Sequence, residues 1–184
     1  MRQDRRVKYT KTVLKESLLS LLKEKPLEKI SVKELCERAD INRSTFYVYY
    51  GSPQELLDSI LDEMYERIGA EPMDFSSVKE FLVGICECLY RYRDLMLVVA
   101  QSSDLIELLF RLTDIWREKF MQIMSEQGLG GDRAELAYRY ISTGACFTIG
   151  TWVIGGGMGQ SAEEIAGSLE QLILHGLSSD FTAN

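Results

Sequence analysis

The stretch from Ser31 to Tyr50, SVKELCERADINRSTFYVYY, constrains this chain more than any other. Ser31 followed by Glu34 is a capping box, a pair of side chains that can satisfy unpaired backbone N–H groups at a helix start. It predicts a short helix from Val32 to about Ala39. Asp40-Ile41-Asn42 interrupts that helix, and Asn42 is a favoured N-cap for a second one running from Arg43 to Tyr49. Two helices joined by so tight a turn cross steeply, which is the helix-turn-helix arrangement. On the second helix Phe46 and Tyr50, four residues apart, can be buried together. Arg43, Ser44, Thr45, Tyr47, Val48 and Tyr49 fall on the remaining surface, which thus carries a cation, two hydroxyls and two phenols. Such groups hydrogen-bond phosphates and base edges, and the first turns of a recognition helix are the part that enters the major groove. A helical hairpin with a polar outer face is the alternative that the same pattern allows.

The distribution of charge agrees with the first of these readings, although a basic run by itself is often no more than a solvated tail. The net charge of −7 would argue against a nucleic-acid partner if it were evenly spread. It is not: residues 1–50 carry 12 Lys and Arg against 7 Asp and Glu, and residues 51–184 carry 9 against 21. A basic head on an acidic body is the expected form of a nucleic-acid reader. Residues 1–8, with Lys8, read as a flexible basic arm able to touch phosphates.

The remaining chain reads as helices. Val13, Leu14, Leu18, Leu21 and Leu22 repeat at helical spacing between Tyr9 and about Lys25, where Pro26 ends the first helix. Ser52-Pro53-Gln54-Glu55 opens a helix over residues 53–69, read as a connector between a head of residues 1–52 and a body of residues 53–184. Ser77 with Glu80 starts another helix, a short apolar piece follows from Asp94 to Ala100, and a long helix runs from about Ser103 to Gln127. Asp132 and Glu135 start a helix rich in small residues, among them Gly144 and Gly150, whose low helix propensity calls for close packing or a cavity. Ser161 and Glu164 cap the last, with Ile165, Leu169, Leu172, Ile173 and Leu177 on one stripe. The fold class is therefore all-α: a three-helix helix-turn-helix domain followed by a larger helical domain.

Other chemistries find little support. No stretch has the uninterrupted apolar length of a membrane span, and the basic N-terminus lacks a signal peptide's apolar region, so a soluble, cytoplasmic protein without a membrane partner is expected. Cys36, Cys86, Cys88 and Cys146 read as buried reduced thiols; with His175 the one histidine, no metal-site spacing exists. The glycine run from Gly155 to Gly159 follows a helix and has no lysine, unlike a phosphate loop. No nucleophile–base pair is visible, so neither an enzyme nor a cofactor is expected.

The residues Ile30-Ser31-Val32-Lys33-Glu34-Leu35, Ala39 to Tyr47 and Tyr50 resemble the DNA-binding segment of the TetR/AcrR family of transcriptional regulators, over residues 9–62. Two departures are visible. Pro53 stands where the family usually opens the next helix with a phosphate-contacting lysine, and Tyr49 where many members carry histidine. Within the matched segment the expected DNA contacts are Ser31, Lys33, Asn42, Arg43, Ser44, Thr45, Tyr47 and Tyr49, and the basic arm adds Lys8. The resemblance implies a homodimer whose last two helices pair with their copies, and Ile149, Trp152, Val153, Ile165, Leu169, Leu172 and Ile173 are the residues expected there. It implies also a cavity among the central helices for a small apolar effector, for which Cys86, Tyr90, Trp116, Phe120, Tyr140, Thr143 and Phe147 are the candidates. A repressor on a pseudo-palindromic operator is the expected function, and a helical adaptor that has stopped reading DNA is the alternative that Pro53 keeps open.

Overall fold

The computed structural model describes residues 2–70, 75, 77–100, 105–126, 128, 130–156 and 159–175, excepting the side chains of 2–4, 105, 106 and 123. The expected helix start at Ser103 and the end of the last stripe at Leu177 lie outside these residues, as do the side chains of Leu105, Ile106 and Ile123. Among the described residues all regular structure is helical, in the order α1 (Arg2–Leu22), α2 (Val32–Ala39), α3 (Arg43–Tyr49), α4 (Pro53–Ala70), α5 (Val78–Arg91), α6 (Arg93–Val99), α7 (Leu105–Glu126), α8 (Gly131–Ile154) and α9 (Ala162–His175). The chain divides into two compact units, Met1–Arg67 and Ile68–Asn184.

In the first unit α1 packs on α2 and α2 on α3. Leu14, Leu18, Leu21, Leu35, Phe46 and Leu56 are fully buried and form its centre. The helix α1 starts at Arg2, so the stretch expected as a flexible arm is helical, and it stops at Leu22, three residues before the expected end. Most of α4, expected as a connector after a boundary at residue 52, belongs to this unit, and the Lys15 ammonium bonds the Glu63 carboxylate to hold it there. The start signals work as local chemistry. The Ser52 hydroxyl accepts from the Glu55 N–H at 3.1 Å, while the Glu55 carboxylate takes the Gly51 N–H at 2.6 Å.

In the second unit α8 is central, packed by α5, α6, α7 and α9, and α5 and α9 also pack on each other. The capping box of α9 closes in both directions, Glu164 N–H to Ser161 Oγ at 3.2 Å and Ser161 N–H to Glu164 Oε2 at 2.7 Å. The start of α8 differs from expectation. Its N-cap is Gly130, which offers no side-chain bond, and Glu135 instead accepts from Arg117 of α7 and from Arg139 one turn on. Gly150 lies against α7, where an added Cβ would stand 3.2 Å from Leu109 Cδ2, whereas Gly144 faces open space.

Candidate functional site

The turn between α2 and α3 is fixed by three local devices. Asp40 ends α2 in the left-handed region (φ 52°, ψ 44°), a conformation that Asp tolerates better than most non-glycine residues. Its N–H returns to the Cys36 and Glu37 carbonyls. Asn42 then caps α3, its Oδ1 accepting from the Ser44 N–H at 3.1 Å and from the Ser44 hydroxyl at 3.2 Å. At the start of α2 the Ser31 hydroxyl accepts from the Glu34 N–H at 3.2 Å, but the Glu34 carboxylate holds Lys25 at 2.6 Å. Ser31 and Asn42 thus serve as caps first, and any phosphate contact would come from the donors that these caps leave exposed around them.

Phe46, fully buried, and Tyr50, nearly so, face inward with rings 6.0 Å apart. They turn the other side of α3 to solvent: Arg43, Ser44, Tyr47 and Val48 are exposed and Thr45 and Tyr49 partly so. Arg43 has no ion pair among the described residues. Lys33 has only a loose exposed pairing with Glu37 at 3.8 Å, so its ammonium remains available to an anion. By contrast Arg38 is tied to Glu24 and Ser20, both at 2.9 Å, and the hydrogen bond to Arg38 holds the Glu24 carboxyl below its usual range. Lys33, Asn42 and Arg43 line an open cleft between α2 and α3, with Cys36 at its floor. Burial pushes the Cys36 thiol up, against the opposing effect of Arg43, so this cysteine is not an activated nucleophile.

Lys8 is exposed on the second turn of α1. One turn further on, Lys11 stands 5.9 Å over the Tyr49 ring, a cation–π contact that joins α1 to the reading helix. Lys11 was not among the sequence candidates, because a contact between two helices distant in sequence leaves no local signature. Val48, also outside the sequence candidates, is 73% exposed, more than any other large apolar side chain of this helix.

The second unit holds a cavity of about 20 Å³, lined by α5 (Val78, Phe81, Leu82, Ile85), α7 (Thr113, Trp116, Phe120), α8 (Tyr138, Ile141, Ser142, Ala145, Cys146) and Ile173 of α9. That is room for about one water molecule. The lining carries no charge, and burial pushes the Cys146 thiol and the Tyr138 phenol up to about 12. The Tyr138 hydroxyl donates to the Thr113 carbonyl, and the Thr113 hydroxyl to the Phe110 carbonyl at 2.7 Å. The Trp116 indole N–H, on a side chain only 2% exposed, finds no acceptor among the described residues.

Of the side chains expected in a pocket, Trp116 and Phe120 line this cavity. Cys86 is buried outside it, and Tyr90 lies half exposed between Trp152 at 5.9 Å and Arg93 at 5.8 Å. Tyr140, Thr143 and Phe147 point to solvent instead. The expected dimer set is displaced in the opposite sense: Ile149, Trp152, Val153, Ile165 and Leu169 are buried within the chain, and Ile173 lines the cavity. Leu172 is exposed as expected. The cause is the central place of α8. Four neighbouring helices cover much of it and leave exposed a stripe of Leu136, Tyr140, Thr143, Gly144, Phe147, Thr148 and Thr151, whose members recur three and four residues apart.

A family model described as bacterial regulatory proteins, tetR family, matches residues 16–60, and one described as transcriptional regulator C-terminal region, of the TetR type, matches residues 76–175. The chain belongs to the TetR family. It is thus a DNA-binding transcription regulator, with the helix-turn-helix formed by α2 and α3. A relative in Bacillus subtilis (strain 168), the uncharacterized HTH-type transcriptional regulator YxbF, is 33% identical over 61 residues, 33% of this chain and 16% of that protein. The dihydroxyacetone kinase operon activator DhaS shares the fold at 18% identity and a TM-score of 0.65, over 90% of this chain and 94% of its own. FadR from Bacillus subtilis, solved in complex with stearoyl-CoA, does so at 16% identity and a TM-score of 0.69, over 91% of this chain and 99% of its own.

Proposed function

We propose that this TetR-family chain acts as a homodimeric repressor that binds a pseudo-palindromic operator through α3 and is released by a small, neutral, apolar molecule. The observation that supports DNA reading is the outward face of α3, where Arg43, Ser44 and Tyr47 are exposed while Phe46 and Tyr50 fix the helix from behind. Lys8, Lys33, Thr45 and Tyr49 border that face and supply phosphate contacts, with Ser31 and Asn42 presenting the starts of the two helices. Repression asks no more than occupancy of promoter DNA, whereas activation requires a further contact with the transcription machinery.

The dimer forms through the exposed stripe of α8, centred on Tyr140, Thr143, Gly144 and Phe147, with Leu172 of α9 contributing. Small residues flanked by two rings suit close approach of a second copy about a two-fold axis, the commonest symmetry of soluble oligomers. Two heads then read half-sites about 34–36 Å apart or a multiple of that distance. FadR was solved with stearoyl-CoA, whose acyl part is a long apolar chain. Here the cavity beside Trp116 is the candidate for such binding, and its single unpartnered donor favours a ligand with one hydrogen-bond acceptor. A ligand shifts DNA occupancy only through a difference in affinity between two separations of the heads.

Fluorescence anisotropy with duplexes from the promoter of the gene's own operon tests the reading at 50 and 200 mM salt. Phosphate-dominated binding should weaken steeply, by roughly a thousandfold or more for a dimer with several contacts per head. Arg43→Ala should lower affinity about five- to a hundredfold, the scale of one good base contact. Binding indifferent to both salt and Arg43 would leave the adaptor reading in its place.

A further inference from the structure

The reading helix is centred on an apolar side chain. At about 100° per residue, the direction opposite the buried Phe46 falls between Ser44 and Val48, which lie on one line of the helix four residues apart. Arg43 and Tyr47 flank that line on one side, and Thr45 and Tyr49 on the other. Exposure follows this geometry: Val48 is 73% exposed and Tyr47 58%, while Thr45 and Tyr49 are partly covered. Tyr49 is further engaged by Lys11. The cation and the two phenols therefore occupy the flanks, and the part that projects deepest presents a hydroxyl and an isopropyl group.

A valine can neither donate nor accept a hydrogen bond. In the major groove the one base-edge feature that it can recognise is the C5 methyl of thymine. Val48 is 73% exposed at the centre of a helix face that is otherwise polar, so most of its surface is left for a partner and little is used in packing. From this placement, and resting on the reading of α3 as the groove helix, we infer that Val48 sets operator specificity by contacting a thymine methyl in each half-site. Ser44 stands beside it on the same line, its hydroxyl already bonded to the Asn42 cap.

The test begins with in vitro selection from a random duplex library using the full chain. Each thymine of the selected site is then replaced singly by deoxyuridine, which keeps base pairing and deletes only the methyl. Transfer of one methyl from water to an apolar contact corresponds to about a fourfold affinity change. One or two positions per half-site should lose about that factor with the unaltered protein and lose nothing with Val48→Ala. Val48→Ser should behave as Val48→Ala does. Circular dichroism of both variants should be unchanged, since the side chain is exposed. Selection without enrichment of any sequence would overturn the DNA-reading proposal and this inference with it. Tight selected binding that ignores every thymine methyl, or whose methyl sensitivity survives Val48→Ala, would overturn this inference alone.

Discussion

Two glycines of α8 allow the packing of the second unit to be tested by one chemical change in two settings. Gly→Ala in a helix interior removes backbone freedom from the unfolded chain and stabilises by about 1 kcal/mol where the new methyl meets nothing. Gly144 is such a place, with no heavy atom within 4 Å of an added Cβ. At Gly150 the same Cβ would stand 3.2 Å from Leu109 Cδ2, 3.7 Å from its Cδ1 and 3.9 Å from Met96 Cε. Leu109 is 4% exposed and Met96 0%, so neither has solvent to move into. Overpacking a filled site costs about 1–3 kcal/mol, which cancels or exceeds the helical gain. Gly144→Ala should therefore raise stability by about 1 kcal/mol and Gly150→Ala should leave it unchanged or lower it by up to about 2 kcal/mol. Urea unfolding followed by tryptophan emission is suited to this, because Trp116 and Trp152 both belong to the unit Ile68–Asn184. Running it at several protein concentrations separates folding from association, since Gly144 lies on the proposed dimer stripe. Equal stabilisation by both substitutions, at concentrations where the chain is monomeric, would refute the close approach of α7 to α8 at Gly150.

Alkaline pH should weaken the same unit. Burial pushes Cys86, Cys146 and Tyr138 up to about 12, from ordinary values of 9.0, 9.0 and 10.0. The unfolded chain sheds these protons first, so stability is intact below about pH 9 and falls by up to roughly 1.4 kcal/mol per pH unit for each group until its folded value is passed. Urea midpoints at pH 7, 9, 10 and 11 measure this, and a flat profile to pH 11 would contradict it. For the effector, 2-undecanone and undecane differ by one acceptor. Calorimetry should show the ketone binding roughly two- to tenfold tighter, the scale of one net hydrogen bond, with the difference absent in Trp116→Phe. Equal binding of both probes by the unaltered chain would remove Trp116 from the site.

The helix-turn-helix was legible because its signals are local. Ser31, Asn42, Ser52 and Ser77 each accept an N–H from the following turn, so helix starts could be read from a few neighbouring letters. The buried pair Phe46 and Tyr50 followed from spacing alone. The faces of α8 did not. Its apolar residues surround the helix, so periodicity leaves no contrast between Phe147, which is exposed, and Ile149, which is buried. Only the neighbours decide, and α5 and α6 from farther along the chain join the adjacent α7 and α9 in covering part of the helix and leaving the rest. For that reason Tyr140, Thr143 and Phe147, expected in a pocket, lie exposed, and Ile149, Trp152 and Val153, expected on an outer face, lie buried. The Lys11–Tyr49 contact and the membership of most of α4 in the first unit were illegible on the same grounds.

The small volume beside Trp116 has a consequence in time. Pockets for small ligands typically measure about 300–1,000 Å³, so space for about one water cannot admit the proposed effector unless α5, α7 and α8 first part. Entry is then governed by how often the helices breathe, and raising the concentration outside cannot hasten it beyond that frequency. The fraction of time spent open also divides the affinity, so substitutions that loosen Phe81, Phe120 or Tyr138 would make a faster and more sensitive switch while costing the resting fold some of its firmness.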